Sequence, residues 1–89
     1  MEIQVHKPEN EELEKLGVKN WPVWEKEVSS FDWYYDSKEV CYFSEGEVEI
    51  ELKEGGIVKM GKGDLAVFPK GLKCRWNIKK AVKKQYNFE

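Results

Sequence analysis

The 89-residue sequence predicts an all-β domain, an antiparallel sandwich or barrel, and three observations carry that expectation. Apolar and polar residues alternate with period two in one stretch after another from Phe31 onward. Glycines punctuate those stretches at Gly46, Gly55-Gly56, Gly61, Gly63 and Gly71, where turns between strands belong. Helical spacing is confined to one short segment near the amino terminus.

Taken in order, Ile3 and Val5 alternate with polar neighbours and predict a short strand. Glu9 to Leu16 is a helical candidate of about two turns, and Gly17 is placed to end it. After Trp21-Pro22 every pattern is of β type. Phe31, Trp33 and Tyr35 alternate with Asp32 and Tyr34. Glu39, Cys41 and Phe43 share one face, Val40, Tyr42 and Ser44 the other, and Gly46 breaks the run. In the EVEIEL segment Val48, Ile50 and Leu52 point one way and Glu47, Glu49 and Glu51 the other, which is the pattern of a half-buried strand. Glu54-Gly55-Gly56 turns into Ile57 to Met60, and Gly61 to Asp64 turns again into the apolar run Leu65 to Phe68. Pro69 to Gly71 make a third turn, after which Cys74 and Trp76 fall on one face. The last segment alternates Val82, Lys84, Tyr86 and Phe88 with polar partners.

Length and composition bound the function. Residues 1–89 make one domain, and a chain this short gains from a partner that covers apolar surface, so a homodimer is expected. Fifteen basic against seventeen acidic residues give a net charge of −2, the wrong balance for a protein that binds phosphate backbones. No apolar run approaches a membrane span and the amino terminus lacks a signal-peptide core, so a cytoplasmic protein with no membrane partner is expected. Two cysteines are then expected as free thiols. The richness in lysine and glutamate fits a heat-stable protein.

Two motifs fail on inspection. Gly56 to Gly63 nearly matches a phosphate-binding loop, but Gly63 stands where a hydroxyl is needed and no helix start follows. The lysines after Trp76 (Lys79, Lys80, Lys83 and Lys84) suggest either a single-stranded nucleic-acid surface or a solvated strand edge guarded by lysine, and the net charge favours the edge, with no nucleic-acid partner. His6, the only histidine, is expected at the surface beside Lys7-Pro8.

The spacing Gly63-x5-Pro69-x-Gly71-x2-Cys74 resembles the second motif of the cupin superfamily, and Glu39-x6-Gly46 resembles the end of the first. The chain further resembles the cupin-3 group, which contains ureidoglycine aminohydrolase-like domains. The matching features are Phe31-Asp32-Trp33, Glu39, Gly46-Glu47, Gly63-Asp64, Phe68-Pro69, Gly71, Trp76, Val82, Lys84 and Tyr86, within a motif-bearing core of residues 24–86. The resemblance implies an antiparallel jelly-roll β-barrel. It also implies a small polar metabolite in the barrel cavity, in an enzyme of the ureide-acting type with Glu39 as acid/base or in a non-catalytic binding or assembly module.

The chain departs from the metal-binding pattern. The usual histidine pair is replaced by Asp32/Tyr34 or Trp33/Tyr35, and the second-motif histidine by Cys74, so of four ligand positions only Glu39 survives. No cofactor is expected. The alternative is a divalent metal such as zinc or manganese on Glu39, Cys41 and Cys74. The resemblance places Cys74 toward the cavity, and strand alternation gives Cys41 the direction of Glu39. Trp33, Tyr35, Cys41, Phe68, Cys74 and Trp76 are therefore the candidate pocket around Glu39, with both cysteines equally readable as small buried hydrophobes. Trp33 and Trp76 are expected near the cavity mouth. A carboxylate turned inward needs a partner, and Tyr35, Trp76 or the ligand are the candidates for Glu39.

Overall fold

The computed structural model describes residues 2–89. The alternation around Val5 forms a three-residue strand, β1 (Gln4–His6). The short amino-terminal helix follows as α1 (Asn10–Leu16), stopped by Gly17 at φ 72°, whose N–H donates to the carbonyls of Leu13 and Glu14. A 3-10 turn (Val18–Asn20) then leads into six strands: β2 (Val23–Lys26), β3 (Ser29–Tyr34), β4 (Glu39–Leu52), β5 (Ile57–Gly61), β6 (Leu65–Phe68) and β7 (Lys73–Phe88). No helix among the described residues is long and apolar enough to cross a membrane.

β4 and β7 form the spine. They pair antiparallel from Glu39↔Phe88 to Leu52↔Cys74, and every other strand attaches to one half of this ribbon. At the Glu39 end the order is β1-β6-β4-β7-β2. At the other end β5 flanks β4 and β3 flanks β7, again antiparallel. Register shifts between Phe43 and Val48 bend the ribbon where the two halves meet. The halves fold over a shared core to which Cys41, Phe43, Phe68 and Val82 come from one side and Val48, Ile50, Met60, Trp76 and Ile78 from the other. This is the expected jelly roll.

Gly46 does not break the strand, as its sequence context suggested. It lies at φ 102°, and a Cβ there would sit 2.5 Å from the Ala81 carbonyl oxygen and 2.8 Å from Val82 Cα. A glycine at this point lets β4 bend and continue against β7, so two expected strands are one of 14 residues.

The stretch resembling a phosphate loop is β5 and its turn. Gly63 N–H donates to the Phe43 carbonyl, and the Asp64 carboxylate accepts from Gly61 N–H and from Lys7. His6 lies on the surface, its Nε2 2.9 Å from Glu12. The reading of the late lysines as a solvated strand edge fits Lys79 and Lys80, which fall between the β3 and β2 pairings of β7, but not Lys83 and Lys84, where β7 has β2 on one side and β4 on the other. Lys79 and Lys80 are exposed, but Lys84 is 5% exposed and turned into the core.

Candidate functional site

Four strands aim side chains into one cavity. On β7, Trp76 and Lys84 face inward, followed by Tyr86 and Phe88 toward the rim. On β3 the inward face carries Phe31 and Trp33, and Tyr35 continues that face just beyond the strand end. Tyr35 is fixed by the Pro69–Gly71 turn, because its N–H donates to the Leu72 carbonyl and its own carbonyl accepts from Gly71 N–H. The Phe-Pro-x-Gly sequence therefore serves to pin Tyr35. Trp24 comes from β2, and Glu39 opens β4.

The cavity so enclosed measures about 190 Å³, well below the roughly 300–1,000 Å³ of drug-sized pockets. Its walls are aromatic. Trp76 stacks on Phe31 at 6.0 Å between centroids and meets Trp24 edge-on at 5.7 Å. Trp33, 46% exposed, stands at the mouth with its ring edge toward Tyr35.

At the floor lies a buried ion pair. Lys84 Nζ donates to Glu39 Oε2 at 2.6 Å, with the two side chains 7% and 4% exposed. The ammonium also sits over the rings of Trp76 at 4.7 Å and Trp24 at 5.0 Å, where their electron-rich faces attract it. The partner of Glu39 is thus Lys84. Neither side-chain candidate from the sequence fills that role, because the Tyr35 hydroxyl instead accepts from Trp76 Nε1 at 3.2 Å. Burial, and then the Glu39 charge, hold the Tyr35 hydroxyl far above its ordinary range, so it stays protonated.

The remaining sequence candidates fall around this cavity at different depths. Trp33, Tyr35, Trp76 and Glu39 line it, but Trp76 is floor and not mouth, at 2% exposure. Phe68 lies behind the wall, stacked on Tyr35 at 4.7 Å. Cys41 is fully buried near the ion pair. Burial pushes its thiol up to about 12, partly offset by the charge of Lys84, while the Glu39 charge and a hydrogen bond to that carboxylate add to the rise. Cys74 lines a separate shallow depression with Asp32, Glu51 and Arg75, and its thiol is pushed up to about 11, chiefly by burial. Both cysteines are free and packed as small apolar groups.

The alternative metal set therefore does not assemble. Glu39 is engaged by Lys84, and Cys74 opens on another depression. Among the described residues no group of three metal-capable side chains comes together. Sequence reasoning missed Lys84, Trp24, Phe31, Tyr86 and Phe88 as lining residues. The signal for Lys84 was present: it stands between Val82 and Tyr86 on one face of an alternating strand, where a solvated lysine does not belong.

The sequence matches the family described as the EutQ-like cupin domain over residues 13–86. Among solved structures it is similar to a DUF861 family protein from Thermotoga maritima, at 51% identity and a TM-score of 0.97, with 99% of this chain and 100% of that one covered. It is also similar to the EutQ protein of Clostridium difficile, at 26% identity and a TM-score of 0.68. That match covers 74% of this chain and 52% of that one, so this chain spans about half the length of that relative. A putative ethanolamine utilization protein Q from Salmonella typhimurium shares the fold at 21% identity and a TM-score of 0.67, with 74% and 53% covered. No curated protein matches the chain.

Proposed function

The chain belongs to the EutQ-like cupin domain family, and from its pocket we propose that it binds a small, neutral, flat carbonyl compound of the amide or ureide class. The observation that carries this is the Glu39–Lys84 pair at the end of an aromatic slot. Lys84 keeps further N–H donors beyond the one given to Glu39, and the carboxylate keeps further lone pairs. An amide presents the complement, with C=O accepting from Lys84 and N–H donating to Glu39. The pair is neutral as a unit, so a charged ligand would enter an apolar slot with no counter-charge to meet it. A ligand ammonium in particular would meet an aromatic box that already holds the cation of Lys84. Stacking on the exposed ring of Trp33 favours a flat molecule.

Glu39 is the group that would exchange a proton with such a ligand, which keeps the ureide-acting enzyme in view. The non-catalytic binding module is the second reading. It is favoured by the 2.6 Å contact that keeps the carboxylate engaged with Lys84.

Titrating the protein with hydantoin, a cyclic ureide, tests the proposal through tryptophan fluorescence. The expected result is saturable quenching that is weakened in Trp33→Ala, with ethanolamine and acetate silent at the same concentrations. Quenching by ethanolamine or acetate but not by hydantoin would overturn it. Mass spectrometry of the recovered ligand then separates an enzyme, which converts it, from a binding module, which returns it unchanged.

A further inference from the structure

We propose that Lys84 is a nucleophile that condenses reversibly with small aldehydes or ketones in the aromatic slot to form an imine. The proposal rests on the same pocket as the binding role above and adds a covalent step to it. Glu39 and Lys84 are the charged residues buried in the core among the described residues. A buried ion pair gives little net stability over a well-packed apolar pair, so its presence at the end of an open cavity calls for a use that Met or Leu could not supply. Lysine is the side chain suited to that use, since desolvation activates its amine toward carbonyls and a neighbouring carboxylate can take up the ammonium proton. Here the base is already in contact, Glu39 Oε2 lying 2.6 Å from Nζ. The ring faces of Trp24 and Trp76 hold the cation before reaction and would hold the iminium after it.

The step balances with these two side chains alone. The Lys84 ammonium gives one proton to the Glu39 carboxylate, and the freed amine attacks the carbonyl carbon. A C–N bond forms as the C=O π pair moves to oxygen, which takes the proton back from Glu39. The carbinolamine nitrogen then returns a proton to Glu39, which delivers it to the departing hydroxyl. Water leaves and a C=N⁺ iminium remains beside a carboxylate. The net charge of the site is the same before and after, so the pocket that stabilises the resting pair also stabilises the product. No oxidant or metal is needed.

The test treats the full chain with propanal and sodium cyanoborohydride at neutral pH, which reduces any imine to a stable propyl amine, and maps the modified lysines by peptide mass spectrometry. Lys84 is expected to acquire the propyl group roughly tenfold faster than exposed lysines such as Lys59 and Lys79, because the slot holds the aldehyde against the amine. Excess hydantoin should slow Lys84 and leave the exposed lysines unchanged. In Glu39→Gln the rate at Lys84 should fall on the order of a hundredfold, with the exposed lysines again unchanged. Labelling of exposed lysines while Lys84 stays unmodified, or reacts no faster than they do, overturns the proposal. If Glu39→Gln does not fold, the wild-type map alone decides. Failure of trapping while hydantoin still quenches the tryptophans removes the imine chemistry and leaves the binding role standing, whereas failure of both removes both.

Discussion

Replacing one member of the Glu39–Lys84 pair tests whether the floor of the pocket is as dry in solution as its geometry requires. At 2.6 Å, an effective dielectric constant near 20 gives an attraction of about 6 kcal/mol. Side-chain exposures of 7% and 4% leave little solvent screening, but they also mean that both charges have lost most of their hydration, which offsets most of that attraction. The pair as a whole therefore contributes little net stability, whereas either half alone is expensive. Lys84→Met leaves the Glu39 carboxylate buried without a counter-charge and is expected to cost about 3–5 kcal/mol. Glu39→Gln leaves the Lys84 cation behind and should cost a similar amount, eased by the amide oxygen that still accepts its hydrogen bond. The double variant removes both charges and should stand within about 1–2 kcal/mol of the parent, much of the remainder being the lost cation–π contacts. Urea denaturation followed by far-ultraviolet circular dichroism reads all four corners of the cycle, with an unchanged m-value as the control for a common unfolded state. Single-variant losses under about 1 kcal/mol that add in the double variant would place the pair in the range of solvated surface bridges and refute the buried site.

Two further outcomes follow from the same geometry. Gly46 and Gly55 share nearly the same backbone angle, φ 102° and 101°, but only Gly46 has backbone atoms where a Cβ would go. Gly55→Ala should therefore cost about 1–2 kcal/mol of conformational strain, while Gly46→Ala should lose the fold or melt far lower, as differential scanning calorimetry will read. Equal melting temperatures would mean that the bend at Gly46 is not tightly packed. Cys41 and Cys74 should resist iodoacetamide at pH 8 and react once the protein is unfolded, because both are buried and both thiols are raised from 9.0, to about 12 and about 11. Both folded pKa values lie above the unfolded ones, so this contribution to stability is complete below the ordinary thiol value of 9.0 and is lost as pH climbs through about 11 to 12. A flat stability profile from pH 9 to 12 would contradict this.

The strands were legible in the sequence because a half-buried strand writes its two faces as alternation, and EVEIEL places Val48 and Ile50 in the core as expected. The inward direction of Glu39 followed from the same rule, and the cysteines sit where small buried hydrophobes sit. The long spine was not legible, since a glycine that ends a strand and a glycine that bends one read alike. What distinguishes them is whether the next strand over has room for a Cβ. Lys84 was misread because charge was weighed above position. Its ammonium is buried only because Glu39, 45 residues away in the chain, and two tryptophans converge on it. Trp24 joins that site through pairing with β7 directly opposite Lys84, a register that no local pattern announces.

A crystal structure of the protein soaked with hydantoin tests the central claim most directly. The account predicts the ring in the slot against Trp33, its carbonyl oxygen within hydrogen-bond distance of Lys84 Nζ and its N–H directed to Glu39. Hydantoin density elsewhere on the molecule, with the slot without ligand at saturating concentration, would contradict it.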